Sequence, residues 1–373
     1  MFMILMYARF DNFLLFRDFE IDLSYPKKIV NSSIPEEHLN GFPSFRYRKL
    51  LIIMGANATG KTAFGRTLMG IYNFISRKEA SHVASLVSDR AKPASFTIDL
   101  VIEDRLYRID SEISFKDTES VQFNIKTAVN SERILPKDSY ESCLRRMIAH
   151  RSQFNPDYVS ELGKIKDLTW IFAYSIDTVG KQNSISPVDS SMYCKCLEDV
   201  LKALDPRLRK VSVVENSSNA FVIDGDGINT ILQDGKLTNP DVLSSGTREG
   251  IDIASVLASM KLHASSFYFC DEKFSHIHSE AEKAFLSLMS DLIGPDEQLL
   301  FTTHNSDILD MDYPKHSFVF LRRNKYEDNN ITAVYASDYI KKNSVSLRTA
   351  VENDLFMSSP DVSAIYGLAD YLR

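Results

Sequence analysis

Cysteine is scarce in this chain, long apolar runs are missing, and there is no excess of positive charge. The four cysteines, Cys143, Cys194, Cys196 and Cys270, include no Cys-x-x-Cys pair. Cys194 and Cys196 have no downstream His or Cys pair at zinc-finger spacing, which argues against a zinc site. No stretch approaches the ~18 apolar residues that a membrane span requires. The opening Met1-Phe-Met-Ile-Leu-Met6 is short, lacks a basic leader and runs into Arg9 and Asp11, so it reads as a strand rather than a signal peptide. A net charge of −7 excludes a uniformly basic nucleic-acid coat, so any contact with DNA or RNA must be local. Neither an internal repeat nor a long heptad run occurs, which excludes an extended coiled-coil arm. A reducing cytoplasm is the expected compartment.

The balance of the remainder is globular: 373 residues, 44% hydrophobic and 25% charged, enough for one large domain or two ordinary ones with a sizeable core. Residues 3–10 and 16–23 read as two strands of an N-terminal hairpin joined by Asp11 and Asn12. Residues 24–46, with Pro26, Pro35, Pro43 and Gly41, read as an irregular connection. An apolar strand at 50–54 follows, then a helix over 62–77 with apolar Phe64, Leu68, Ile71, Tyr72 and Ile75. Period-two alternation through Phe96, Ile98, Leu100 and Ile102 and on to Val121, Phe123 and Ile125 predicts an antiparallel meander over 95–126. Helices are expected at 139–151, 157–175 and 192–204, with punctuation at 182–191. A second hairpin pairs 211–214 with 221–223 across the turn 216–219. The divisions expected are 1–75, the N-terminal part of a core; 76–240, an inserted β and helical lobe; 241–325, the C-terminal part of the core; and 326–373, an extension.

Chemistry concentrates at four places. Gly55, Asn57, Ala58, Thr59, Gly60, Lys61, Thr62 and Ala63 fit the phosphate-loop pattern at every fixed position, after a strand and before a helix. Gly55 and Gly60 permit the tight turn that points backbone N–H groups at phosphates. Lys61 would neutralise β and γ oxygens, and the Thr62 hydroxyl would ligate Mg²⁺. The run Ser266-Phe-Tyr-Phe-Cys-Asp271-Glu272 reads as a buried strand ending in two carboxylates. Asp271 would orient Mg²⁺, and Glu272 would act as general base on the attacking water. A further strand at 299–303 delivers His304, which could donate to the γ-phosphate. Ser244-Ser245-Gly246-Thr247 precede a helix expected at 251–262. Taken alone, an apolar run ending in Asp-Glu is a common strand end, a lone histidine is commonly structural, and a serine before a helix is an N-cap. Their order after a phosphate loop gives them a functional reading.

In this order the four elements resemble the ATP-binding-cassette (ABC) superfamily, over roughly residues 1–75 and 210–325. The resemblance implies an α/β fold: an ABC-type P-loop ATPase head with a mixed central sheet, an antiparallel β subdomain and an inserted helical lobe. It also implies that Ser244, Ser245, Gly246 and Thr247 are the signature that grips the γ-phosphate of ATP held by an opposing subunit, the same anion logic supplied in trans. Asn12-Phe-Leu-Leu-Phe16, the Ser244-Ser-Gly-Thr-Arg248 form of the signature, and Asp271-Glu-Lys-Phe-Ser-His-Ile-His278 are similar to the soluble branch containing RecF, the structural maintenance of chromosomes (SMC) proteins and the overcoming-lysogenization-defect (OLD) ATPases. Ser279 stands where that branch carries a proline. The segment 145–155 resembles bacterial OLD-related ATPases, several of which defend against phages. Gln122 and Gln153 are both candidates for a lobe glutamine that reports the γ-phosphate. Arg145, Arg146, His150 and Arg151 read either as a phosphate-binding face or as a solvated charge cluster. Only some 50 residues follow 318–321, the last expected strand, too few for the nuclease that OLD proteins append. Asp307, Asp310 and Asp312 look like loop carboxylates.

The resemblance thus implies a cytoplasmic ATPase using ATP and Mg²⁺. It would assemble as a homodimer or higher homo-oligomer through its ATP sites and regulate an effector protein, a nuclease or toxin encoded nearby, in antiphage defence. The alternative is a DNA-repair or chromosome-maintenance ATPase that clamps DNA, so nucleic acid remains a possible partner. A transporter cassette is disfavoured by the hairpin and the lobe length, and a small-molecule P-loop kinase needs no signature.

Overall fold

The computed structural model describes residues 2–119, 122–166, 168–178, 190–214, 217, 219–324, 330–341, 345–357, 365, 366, 368, 371 and 372. Outside them lie Val121 of the expected meander, Asn216 and Ser218 of the second turn, and most of the expected connection at 182–191. Among the described residues no helix is long and apolar enough to cross a membrane.

The central sheet has six strands in the order Asn330–Tyr335, Phe318–Asn324, Leu50–Met54, Gln298–Thr302, Phe267–Asp271 and Trp170–Tyr174. All neighbours are parallel except the outer pair, Phe318–Asn324 with Asn330–Tyr335. Every residue of Leu50–Met54, Phe267–Asp271 and Gln298–Thr302 is buried. Burial on both faces is why these strands read as continuous apolar runs rather than as alternation. Alternate residues enter different cores. Leu50, Ile52, Tyr268, Cys270, Leu299 and Phe301 pack with the helices Ser190–Leu204, Ser245–Lys261 and Ser279–Leu292. Leu51, Ile53, Phe267, Phe269 and Leu300 face the helix Lys61–Arg77 and a second sheet.

That second sheet is antiparallel, in the order Phe19–Asp22, Met3–Asp11, Ala94–Ile102, Arg105–Phe115 and Phe123–Arg133. The N-terminal hairpin and the meander therefore form one sheet, joined where Met3–Asp11 pairs with Ala94–Ile102. The pairing slips between Leu5 and Tyr7, and the buried Gln298 side chain takes up the backbone groups there. Its Oε1 accepts from Leu5 N–H at 2.9 Å, and its Nε2 donates to the carbonyls of Leu5 and Arg48, each at 3.1 Å. One amide thus ties the two sheets together where a bulge leaves polar groups to be satisfied.

Four expectations need correction. Residues 157–175 are not one helix: Tyr158–Leu162 is helical, but Trp170–Tyr174 is the edge strand of the central sheet. Five apolar residues in a row carry no period that separates a buried strand from a helix. The connection 24–46 contains a small ladder, His38–Leu39 with Phe42–Arg46. Beyond the second hairpin, Ile228–Gln233 adds a third main strand to a separate sheet with Leu208–Val213 and Ala220–Gly225. Phe318–Asn324 is followed by Asn330–Tyr335, so it is not the last strand.

Gly65 lets the helix Lys61–Arg77 lie directly on Phe269. A Cβ there would sit 2.4 Å from the ring of that buried side chain. Gly65→Ala is expected to destabilise the protein by about 1–3 kcal/mol through overpacking. An unchanged thermal unfolding midpoint would contradict this packing.

Candidate functional site

The loop after Met54 turns through three residues of positive φ: Gly55 (151°), Ala58 (63°) and Gly60 (98°). At Gly55 a Cβ would meet the Leu321 carbonyl oxygen at 2.6 Å and Thr59 Oγ1 at 2.7 Å, so the chain has no room for a side chain there. Thr59 Oγ1 donates to the Ala56 carbonyl at 2.8 Å and closes the loop. The helix then starts at Lys61, with Gly60 as its N-cap, which leaves the first-turn amides without intrahelical acceptors. Lys61 is almost fully buried; its Nζ donates to the carbonyls of Gly55 at 2.8 Å and Ala56 at 3.2 Å. Two loop carbonyls therefore hold the cation beside a helix start whose first-turn amides suit an anion.

Strand register carries the carboxylates to the same edge. Ile53 lies opposite Thr302, and Thr302 opposite Asp271, in one row across the sheet. Asp271 is fully buried, and Thr302 Oγ1 donates to its Oδ1 at 2.8 Å. Its Oδ2 is buried without a hydrogen-bond partner. Burial raises the Asp271 pKa, and the Thr62 and Thr302 hydroxyls oppose that rise. A buried carboxylate oxygen without a partner, beside a threonine hydroxyl, is a donor set that fits a hard, oxygen-seeking cation such as Mg²⁺.

Glu272 leaves the row in a left-handed conformation, φ 45°. For a side-chain-bearing residue that costs roughly 1–2 kcal/mol. Its N–H donates to Thr302 Oγ1 at 2.9 Å and to the Thr302 carbonyl at 3.2 Å, which holds the bend. The carboxylate is turned towards the loop: Oε1 is 3.2 Å from Lys61 Nζ and 4.0 Å from His304 Nδ1. The structure thus brings together Lys61, Glu272 and His304, residues widely separated in sequence. His304 is about half exposed, in a turn pinned by Glu282, which accepts from Thr303 Oγ1 and Asn305 Nδ2, each at 2.7 Å.

The signature lies at another helix start. Ser244 is the N-cap of Ser245–Lys261, its Oγ accepting from Thr247 N–H at 3.1 Å. The helix begins at Ser245 rather than at 251, because the cap supplies the missing acceptor before the apolar pattern is established. The serine is both a cap and an exposed hydroxyl at a helix N-terminus. At Gly246 a Cβ would meet the His276 carbonyl at 2.6 Å, so the signature packs tightly on the segment following the carboxylate pair. Among the described residues, no hydrogen bond or ion pair joins 244–247 to the phosphate loop of the same chain.

Other candidates separate. Arg146 pairs with Asp138 at 2.7 Å, and Arg151 with Asp110 at 3.2 Å, so these two cations of the lobe cluster are engaged by the chain itself. Gln122 and Gln153 are both exposed, one at the base of the last meander strand and one in a loop. Asp307 and Asp310 pair with Arg348 as loop carboxylates. Ser279, at the first position of its helix, donates to Asp307 at 2.5 Å, so the residue in the proline's place holds the turn with a hydroxyl.

Two features escape sequence reading. Thr302 positions both carboxylates, yet in sequence it is one more residue of an apolar strand. Lys273, directly after Glu272, is almost fully buried. It pairs with Glu249 and, at 2.6 Å, with Asp252 of the signature helix, and it donates to the Tyr174 carbonyl at 2.9 Å. Glu249 in turn accepts from Ile176 N–H at 2.6 Å. The only available signal is the pair Glu249 and Asp252, one helical turn apart at the start of an apolar helix.

No family model matches this chain, and no curated protein does. Solved structures do. The SMC head bound to the C-winged helix domain of ScpA matches with TM-score 0.52 at 15% identity, over 93% of this chain and 99% of that one. The SMC head domain from Thermotoga maritima matches at 12% identity and TM-score 0.44, covering 89% of this chain and 98% of that one. The Smc head domain with an extended coiled coil, bound to the C-terminal domain of ScpA derived from Pyrococcus furiosus, matches at 12% and 0.49, covering 96% and 100%. The fold of this chain is that of an SMC head, an ABC-type ATPase fold, as the sequence led us to expect. None of these neighbours bears on the OLD-related resemblance.

Removing Lys273 leaves Glu249 buried and uncompensated. Lys273→Met is expected to lower stability by about 3 kcal/mol or more. Adding Glu249→Gln to that variant is expected to restore part of the loss. A urea midpoint for Lys273→Met equal to that of the unsubstituted chain would contradict the pairing.

Proposed function

We propose that this chain is an ATPase head that assembles with further copies of itself through shared ATP sites and uses the assembly to control a partner effector. The observation that carries the nucleotide reading is the convergence of Lys61, Glu272 and His304 beside Asp271, whose Oδ2 is buried and unpaired. The loop amides and Lys61 would hold the β and γ phosphates. Thr62 and Asp271 would hold Mg²⁺, which when bound neutralises phosphate charge. Lys61 now lies against Glu272. An incoming triphosphate competes for Lys61 and releases Glu272, which can then act as general base on the attacking water. His304, with its Nδ1 on the Glu272 side, is suited to sense whether the γ-phosphate is present.

The signature is what supports self-assembly. Exposed Ser244 caps a helix start suited to an anion, with Ser245 and Gly246 half-buried beside it and Thr247 buried; among the described residues none of the four has a hydrogen bond or ion pair to the phosphate loop of its own chain. A second copy would supply the phosphate they face, and this helix start would stabilise it as an oxyanion clamp does. For the output we favour a protein effector, a nuclease or toxin encoded nearby in a phage-defence setting, on the resemblance of 145–155 to OLD-related ATPases. Arg146 and Arg151 are already paired within the chain, which weakens that segment as a DNA-phosphate face. ATP hydrolysis stimulated by plain DNA, with the salt dependence of phosphate contacts, would instead favour the DNA-clamp reading.

Glu272→Gln is expected to slow hydrolysis by about 100-fold or more while ATP-bound assemblies accumulate in sedimentation. If that variant hydrolyses ATP at the normal rate, the general-base role is wrong.

A further inference from the structure

A cavity of about 610 Å³ lies between segments 25–33, 312–316 and 337–341. It sits at the other end of the central sheet from the phosphate loop. The loop leaves the C-terminal end of Leu50–Met54, whereas Lys315 precedes the N-terminal end of the parallel neighbour Phe318–Asn324. Counting strand and turn residues between them puts the two places roughly 15 Å apart or more. The cavity is therefore not part of the nucleotide site.

Its lining contradicts the charge of the whole molecule. The chain carries −7, yet Lys27, Lys28, Lys315 and Lys341 line this one cavity with a single carboxylate residue, Asp312. Lys27 makes only a long, exposed pair with Asp338 at 3.7 Å, and Lys341 donates to the Ser337 carbonyl at 3.1 Å. Among the described residues, Lys28 and Lys315 have no carboxylate at ion-pair distance. Lys315 is partly buried, and that burial lowers its pKa with no acidic neighbour to offset it. A second, independent sign is Ser337: it lines the cavity, is more than nine-tenths buried, and its Oγ has no hydrogen-bond partner. The buried Ser337 hydroxyl lacks a partner and the part-buried Lys315 lacks a counter-ion in the same place, with the exposed Lys28 on the same lining.

We propose that this cavity binds a small anion carrying two or more phosphate groups, with Lys28 and Lys315 as its charge partners and the Ser337 hydroxyl as a neutral donor. Lysine ammoniums are effective point-charge partners for phosphate. The volume falls in the range of small-molecule sites, and the lysines converge on one concavity from three segments. A polymer backbone would instead call for an extended basic stripe.

The test titrates sodium tripolyphosphate calorimetrically into the full chain carrying Lys61→Ala, which removes the phosphate-loop cation, and into the unsubstituted chain as a guard against misfolding. Saturable binding is expected in both. Lys28→Ala/Lys315→Ala should weaken it by about tenfold or more with the thermal midpoint unchanged. Lys116→Ala/Lys236→Ala, the same charge change elsewhere, should leave it within about twofold. Absence of binding to either protein, or equal loss in both lysine pairs, would overturn the proposal. So would a single-stranded oligonucleotide that binds through Lys28 and Lys315 where tripolyphosphate does not, which would assign the lysines to nucleic acid.

Discussion

The parallel register of Leu50–Met54, Gln298–Thr302 and Phe267–Asp271 is the constraint on which the site depends. It sets Ile53, Thr302 and Asp271 in one row, so the phosphate loop and both carboxylates emerge at the same sheet edge. Open α/β sheets bind ligands at the C-terminal ends of their strands for this reason. A shift of one residue between Phe267–Asp271 and Gln298–Thr302 would turn Asp271 out of the row and break the Thr302 hydrogen bonds. Burial on both faces protects the register, because each alternate side chain is committed to a different core.

Within that row one hydroxyl separates two acids. Thr302 Oγ1 donates to Asp271 and accepts from the Glu272 N–H, so Asp271 stays in the buried row while Glu272 swings out towards Lys61. The pair differs in setting as well as in position: Asp271 is fully buried, and Glu272 is about a quarter exposed. In the proposed mechanism Asp271 would hold a cation and Glu272 would reach a water. Lys273 then carries the arrangement across to the signature helix through Glu249 and Asp252. A buried ion-pair network thus joins the segment after the carboxylate pair to the helix Ser245–Lys261.

Much of this was legible in the sequence. The phosphate loop, the apolar strands and the order of signature, acidic pair and histidine are local patterns, and each marks its own element. The fold class followed from the family that these patterns, in this order, resemble. Trp170–Tyr174 reads as part of a helix because five apolar residues bear no period, and its strand identity comes only from pairing with Phe267–Asp271. Thr302, Lys273 and the basic cavity were invisible for a related reason. Their meaning lies in contacts between segments that the chain brings together late, across nearly 100 residues for Lys273 and Tyr174. Hydrophobicity places the start of the signature helix at 251, whereas the cap hydrogen bond at Ser244 places it at Ser245.

The central claim is that each chain holds part of an ATP site and completes the other part on a neighbour. Mixing two inactive proteins, one carrying Lys61→Ala and one carrying Ser244→Arg, tests it most directly. In a mixed assembly one site carries both substitutions and the other carries neither. The account predicts that ATP hydrolysis, absent from each protein alone, returns on mixing. Two well-folded variants that stay inactive together, while sedimentation shows that they associate, would contradict it.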